Sequence, residues 1–273
     1  MSSGSQDEHL NLKKQDRSAD RAIIVTGASS GLGRAIAVRL GAAGYRLWIT
    51  ARSRKGLEET AAAVAAEGGP RPEIEILDLS RPGFLADFVQ RVGTGPVPPF
   101  ALINSAGVSY SQSLLKGDPT RWREMLDINV LAPLEGCRAA VEVMRRQGGP
   151  GHLINVSSIA AQWDTGGVYA ASKRALEAIS GTLRRELEAD NIRIATIIPG
   201  GFATQLGRNI EPEVLQRLVK NMQAKGLKPN EVPDQRFFGD PVHIARAVEY
   251  VLQQPMTINI EKMVVRPPFD LRY

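Results

Sequence analysis

The sequence predicts an α/β fold: one doubly wound domain around a seven-stranded, mainly parallel sheet. Three observations predict it. Short apolar runs rich in β-branched residues alternate with longer helical patterns along almost the whole chain. Most of these runs are continuously apolar, as parallel strands covered on both faces must be. No break in composition interrupts the alternation, so one domain over residues 21–273 is expected.

The first strand is Ala22–Val25, followed by a glycine-rich loop and a helix over Leu32–Ala43 with Ile36, Leu40 and Ala43 on one face. The second strand, Arg46–Thr50, leads into a helix over Arg54–Glu67. Gly68–Pro72 then reads as a loop before the strand Ile74–Leu77. A helix over Pro82–Val92 and a second Pro/Gly loop, Gly93–Pro99, precede the strand Ala101–Ile103. The longest helical pattern, Pro119–Gln147, starts well, with Asp118 as cap and proline in the first turn. After it come the strand Leu153–Val156, a helix over Val168–Ala189, the strand Ile192–Ile198, a helix over Pro241–Gln253 and a last strand, Ile258–Val265. Residues 1–20 mix charges of both signs with Ser and Gln and read as a mobile tail.

Composition removes several classes of function. The 273 residues are 43% hydrophobic and 23% charged, and no apolar run approaches the roughly 20 residues that span a bilayer. The N-terminus has no apolar core of the signal-peptide kind, so a cytoplasmic protein is expected. Cys137 is the single cysteine, which rules out an internal disulfide; its helically spaced neighbours Leu134, Val141 and Met144 predict a buried, inert thiol. A net charge of +5 is spread without interleaved aromatics, so no nucleic-acid partner is expected. His9, His152 and His243 lie far apart, and no metal site is expected.

In a doubly wound sheet, ligands sit beyond the carboxyl ends of the strands. Those ends carry Gly27, Arg52, Asp78, Asn104, Ser158 and Pro199, so polar, Gly or Pro residues face one crevice. The first loop reads Thr26-Gly27-Ala28-Ser29-Ser30-Gly31-Leu32-Gly33 and runs straight into a helix. Glycines let the backbone approach a pyrophosphate, and the helix N-terminus supplies free N–H groups and the positive end of its dipole. Arg34, not lysine, follows Gly33, which argues against a nucleoside-triphosphatase loop.

This loop resembles the Thr-Gly-x3-Gly-x-Gly motif of the short-chain dehydrogenase/reductase family, and further marks follow in order from about residue 21 to 265. The resemblance implies a Rossmann-type fold and a nicotinamide cofactor held by Gly27, Ser29, Ser30, Gly31, Leu32 and Gly33. Asp78, with Leu79 beside it, is similar to the residue that contacts adenine. Asn104-Ser105-Ala106-Gly107 looks like the Asn-Asn-Ala-Gly motif, with serine replacing the second asparagine; Asn104, Ala106 and Gly107 are carried over. Pro199-Gly200-Gly201-Phe202-Ala203-Thr204 resembles the motif beside the nicotinamide, which assigns Pro199, Gly200, Phe202 and Thr204 to the cofactor.

The end of the second strand chooses between cofactors. An NAD site places a carboxylate there for the ribose 2′-hydroxyl. This chain has Ala51 followed by Arg52, similar to the basic residue of NADP-binding members. A guanidinium matches a 2′-phosphate in charge and fork geometry, so NADP(H) is expected.

The last motif lies in Asn155–Lys173, where a tyrosine and a lysine stand four residues apart. At 100° per residue, Tyr169, Lys173, Leu176, Leu183 and Leu187 share one helix face. Arg174, Glu177, Arg184 and Glu188 share a second, expected to be wet. Ala171, Ala175, Ala178 and Thr182 form a third, small-residue face. Lysine on the leucine-bearing face carries an uncompensated charge, which a purely structural role does not explain. Carbonyl reduction does: a proton donor must meet the developing oxyanion, and a cation one turn away lowers a tyrosine pKa of ~10. Resemblance assigns Tyr169 as general acid/base and Lys173 as its cation and a ligand of the ribose. By the family pattern Ser158 is preferred to Ser157 as the hydroxyl that binds the substrate oxygen. It precedes Tyr169 by 11 residues, fewer than is usual in the family. Asn129 looks like the fourth catalytic residue. Pro133 supports it independently, because proline offers no N–H to the Asn129 carbonyl, which is then free to hold a water near Lys173.

The segment 205–238 reads as a substrate lid, with Leu215, Leu218, Val219 and Met222 at helical spacing. Phe202, Leu206, Phe237 and Phe238, with Tyr110 and Trp163, suggest a moderately hydrophobic carbonyl or secondary-alcohol substrate. The small face of the tyrosine helix, with the helix over Pro119–Gln147, suits a homodimer or homotetramer contact, as the family resemblance also implies. The expected function is therefore NADP(H)-dependent oxidoreduction. A redox-neutral epimerase, dehydratase or lyase on the same site, and a non-catalytic NADP-sensing protein, are the alternatives.

Overall fold

The computed structural model describes residues 21–110, 112–164, 166–204 and 238–268, with isolated positions 206, 216, 219, 220 and 223. The expected tail at 1–20 and nearly all of the expected lid at 205–238 lie outside the described residues. The strands are β1 Ala22–Thr26, β2 Arg46–Ala51, β3 Glu73–Ile76, β4 Pro99–Asn104, β5 Gly151–Val156, β6 Ile192–Pro199 and β7 Lys262–Val265. All pairs are parallel, in the order β3-β2-β1-β4-β5-β6-β7. The order reverses between β1 and β4, and that switch point opens the crevice at the carboxyl edge.

Strand residues alternate between two cores because the side-chain period is two. Ile23 and Val25 of β1 point to one layer, and Ile24 points to the other. The first layer holds α1 Gly31–Ala42, α2 Arg54–Ala66 and α7 Val242–Gln253, through Ile36, Leu40, Leu57, Ile244 and Val248. The second holds α3 Phe84–Gly93, α4 Pro119–Leu126, α5 Ala132–Gln147 and α6 Gly167–Glu186, through Leu85, Phe88, Met125, Cys137 and Leu183. Cys137 is buried, and burial pushes its thiol up to about 12.

Three elements depart from the sequence expectation. The long helix is not regular: α4 and α5 are joined by a wide π turn at Asp127–Leu131, just ahead of Pro133. Proline withholds an i→i−4 donor there, and the chain takes an i→i−5 bond from the Ala132 N–H to the Asp127 carbonyl. The last strand starts at Lys262, where the ladder to Thr196 begins; Ile258 stands half exposed outside it. The expected wet face of α6 is not uniformly wet. Glu177 is largely covered between Ser157 and Lys262, and Arg184 lies under Glu261, because the segment entering β7 crosses that face.

Candidate active site

A cavity of about 550 Å³ occupies the crevice, running from the start of α2 past the glycine loop to Tyr169 and Lys173. The loop is tight because two of its glycines have no room for a side chain. A Cβ on Gly27, whose φ is +69°, would lie 2.6 Å from the Ala106 Cα, and one on Gly33 would lie 2.4 Å from the Gly27 carbonyl oxygen. Thr26 locks the loop to the β4 turn: its Oγ1 accepts hydrogen bonds from the Ser105 and Ala106 N–H groups, each at 3.1 Å. Ser30 is the N-cap of α1 but bonds no helix N–H with its side chain, and no acidic residue sits in the first turn. The N-terminal N–H groups therefore remain available to an anion in the cavity.

At the reacting end, Lys173 is 4% exposed, and its ammonium donates to the Val156 carbonyl at 2.9 Å. No carboxylate among the described residues pairs with it, and burial lowers its pKa to about 8. Burial raises the Tyr169 phenol above its usual value, while a hydrogen bond from Ser158 acts in the opposite sense. The sequence reading has Lys173 lower the tyrosine pKa. With protein groups alone, desolvation dominates and the lysine ammonium is directed to a backbone carbonyl. Ser158 meets Tyr169 despite the short interval, because Ile159–Gln162 coils into a 3₁₀ turn with the Ser158 hydroxyl accepting from the Ala160 N–H. Ser157 borders the cavity, but its hydroxyl donates to Glu177 at 2.9 Å, with the Lys173 carbonyl 3.4 Å away. Ser158 is not among the cavity's lining residues, and its hydroxyl faces Tyr169 and the Ala160 N–H.

Asn129 is fully buried and bonds through both ends of its amide. Its Oδ1 accepts from the Val108 N–H, and its Nδ2 donates to the Val108 carbonyl and to Ser172 Oγ, all at 2.9–3.0 Å. Ser172 in turn donates to the Tyr169 carbonyl at 2.7 Å. Asn129 thus ties the π turn to the β4 loop and to the tyrosine helix.

Of the residues expected around a cofactor, Gly27, Ser29, Ser30, Gly31, Leu32, Gly33, Arg52, Leu79, Ala106, Gly107, Tyr169, Lys173 and Thr204 border the cavity. Asp78, Asn104, Pro199, Gly200 and Phe202 are not among its lining residues. The Asp78 carboxylate bonds the Ser80 N–H and hydroxyl. Asn104 points into the sheet, donating to Asn155 at 2.8 Å and to Cys137. Pro199 pairs with Val265, Gly200 packs against Arg266, and the Phe202 ring packs against Gly239 and the first core layer. Among the residues expected to line a substrate pocket, Leu206 does; Tyr110 bonds Glu124 instead.

Sequence reasoning missed several lining residues. Val108, Ser109 and Ile128 surround the tyrosine end, and Ser53, Lys55 and Glu59 the other. Arg34 clamps the glycine loop to α2, donating to the Ser29 carbonyl at 2.6 Å, to Glu59 at 2.8 Å and to Thr60 at 3.1 Å. Its position after Gly33 was visible in the sequence, but its partners on α2 lie more than 20 residues away.

Comparison with known proteins gives the family. The sequence profile described as short chain dehydrogenase matches residues 21–215. The chain belongs to the short-chain dehydrogenase family. Within it, an uncharacterized oxidoreductase of Staphylococcus saprophyticus is 30% identical over 250 residues, covering 91% of this chain and 97% of that protein. The structure of an alcohol dehydrogenase from the archaeon Thermococcus sibiricus, complexed with 5-hydroxy-NADP, superposes with a TM-score of 0.76 at 26% identity, over 93% of this chain and 99% of that one. A metagenomic short-chain oxidoreductase in complex with NADP superposes with a TM-score of 0.74 at 27% identity, over the same shares. The protein is accordingly a short-chain dehydrogenase-type oxidoreductase with a Rossmann-like sheet.

Proposed function

We propose that this short-chain dehydrogenase interconverts a carbonyl and a secondary alcohol with NADP(H), using Tyr169 as general acid/base. The observation that carries the reading is the cluster at the head of the cavity. The Tyr169 phenol, with Ser158 beside it, stands one helical turn from a buried ammonium that bonds the Val156 carbonyl and has no carboxylate partner among the described residues. NADP(H), when bound, supplies or accepts the hydride.

The residues fit that cofactor. The uncapped start of α1 and the side-chain-free glycine loop suit a pyrophosphate, and Arg52 at the far rim suits a 2′-phosphate. In the reducing direction Ser158 donates a hydrogen bond to the substrate oxygen, and Tyr169 Oη passes its proton to that oxygen as charge develops. Lys173 then faces a phenolate, and its ammonium favours that anion. Val108, Ile128 and Leu206 make the reacting end moderately apolar, in keeping with an uncharged carbonyl substrate. The exposed small residues of α6, Ala171, Ala178 and Thr182, suit contact with a second copy of the chain. Cytoplasmic placement accords with the absence, among the described residues, of any helix long and apolar enough to cross a membrane.

The test is NADPH absorbance over a broad carbonyl panel, with wild type and Tyr169→Phe. Consumption of NADPH that falls by about 10²-fold or more in the variant is expected for loss of a general acid. A phenylalanine variant as active as wild type refutes the mechanism. Turnover without net NADPH consumption would instead indicate redox-neutral chemistry.

A further inference from the structure

Arg52 is the cation expected to meet the cofactor's 2′-phosphate, and the structure shows what holds it. Its Nη1 lies 3.4 Å from Glu124 Oε1, across 72 residues of sequence. Glu124 is itself fixed: its other oxygen, Oε2, accepts from the Tyr110 hydroxyl at 2.9 Å and from Arg121 Nη1 at 3.0 Å. Arg121 completes the group by donating to the Tyr110 hydroxyl and lying over its ring, 4.8 Å from the centroid. The Glu124 side chain is 18% exposed, whereas those of Arg52 and Arg121 are about half exposed.

We propose that Glu124 is a positioning residue for NADP(H) selectivity: it orients the Arg52 guanidinium towards the 2′-phosphate. The proposal rests on the NADP reading of the site. A carboxylate near a phosphate site could instead compete for the arginine, and two features decide against that. The contact uses one of the five guanidinium N–H groups, leaving four for a second anion. The Glu124 charge is already met by Arg121 on the opposite oxygen, so the carboxylate presents little net charge to a phosphate beyond Arg52. What remains is preorganisation. A half-exposed arginine loses rotamer freedom when it binds, and one already held loses less.

Binding of NADPH and NADH, measured by titration calorimetry without substrate, tests this. Glu124→Ala is expected to weaken NADPH by roughly two- to fivefold, the scale of an exposed ion pair, and to leave NADH unchanged. Glu124→Gln, which keeps an oxygen for Arg52, is expected to recover most of that loss. Tyr110→Phe frees the carboxylate without changing charge and should show a smaller loss of the same selectivity; it serves where alanine disturbs the helix. On an Arg52→Ala background the Glu124 substitution should become silent. Tighter or unchanged NADPH binding in Glu124→Ala, or an equal loss for NADH, overturns the proposal while leaving the NADP reading intact. An Arg52→Ala protein that keeps the full NADPH preference overturns Arg52 as its determinant, and a wild type with no preference for NADPH overturns the NADP reading itself.

Discussion

Lys173 shows how a residue can serve the site at the expense of the fold. Its ammonium is buried with one carbonyl acceptor and no carboxylate partner among the described residues, and its pKa falls from 10.5 to about 8. An unfolded lysine keeps its proton up to about pH 10.5. The penalty on the folded state therefore grows as pH falls from 10.5 to 8 and is full below 8. By linkage it amounts to about 3 kcal/mol at neutral pH, part of which the Val156 hydrogen bond offsets. Lys173→Met should thus lose nearly all turnover yet unfold at higher temperature than wild type at pH 7, by a few degrees per kcal/mol gained. Calorimetric melting of the two proteins checks this, and a lower midpoint for the methionine variant would contradict it. Ser157 and Ser158 make the complementary point. They are chemically identical neighbours, and extended backbone sends their hydroxyls to opposite sides, one to Glu177 and one to Tyr169.

Among elements, the β1–α1 loop is the most demanding. Its fit depends on glycine at positions where a methyl group has nowhere to go. Gly33→Ala would set a Cβ against the Gly27 carbonyl oxygen at 2.4 Å, and backbone must yield because no flexible side chain can. Loss of stability of about 1–3 kcal/mol is expected from the overpacking. Nucleotide affinity should fall at least tenfold as the α1 N–H groups turn away, read by titration of NADPH against the folded fraction. Wild-type affinity in this variant would show that the loop does not bear on the cofactor. The α4–α5 junction works differently. Asp118 and Pro119 announce the helix start, and Pro133 announces an irregularity, both legible in sequence. That the irregularity is a π turn holding Asn129 against Val108 and Ser172 depends on neighbours that local sequence does not specify.

At the scale of the whole molecule, the sheet separates a reactive edge from a structural one. His152, at the start of β5, is buried away from the cavity, edge-on to Phe100. Burial lowers its pKa to about 4, with Arg21 and Arg193 adding to the effect. The unfolded imidazole titrates near 6.5, so folding is undisturbed above that pH and loses stability as pH falls from 6.5 to 4. The loss approaches about 3 kcal/mol at the acid end. Urea unfolding at pH 7 and pH 4.5 should show this decline in wild type and a shallower one in His152→Gln. Equal slopes would assign the acid sensitivity to other groups.

The sequence by itself determined the seven strands, their parallel pairing, the glycine loop ahead of α1 and the tyrosine–lysine pair on one helix face. Each rests on local signals: continuous β-branched runs, glycines before a helix, a lysine on an apolar helix face. Tertiary structure alone decided where the polar side chains point. Asn104 stands at a strand end facing the crevice in sequence, yet its amide is in the core with Asn155. Glu177 falls on a helix face that reads as wet, yet it is covered by the chain entering β7. Arg34 in the first turn of α1 and Arg52 after β2 are both basic residues near the crevice, but one clamps the loop to α2 and the other is held at the rim by Glu124. The physical reason is the same in each case. A polar group takes the partner that register and packing bring within about 3 Å, and those partners are tens of residues away in sequence.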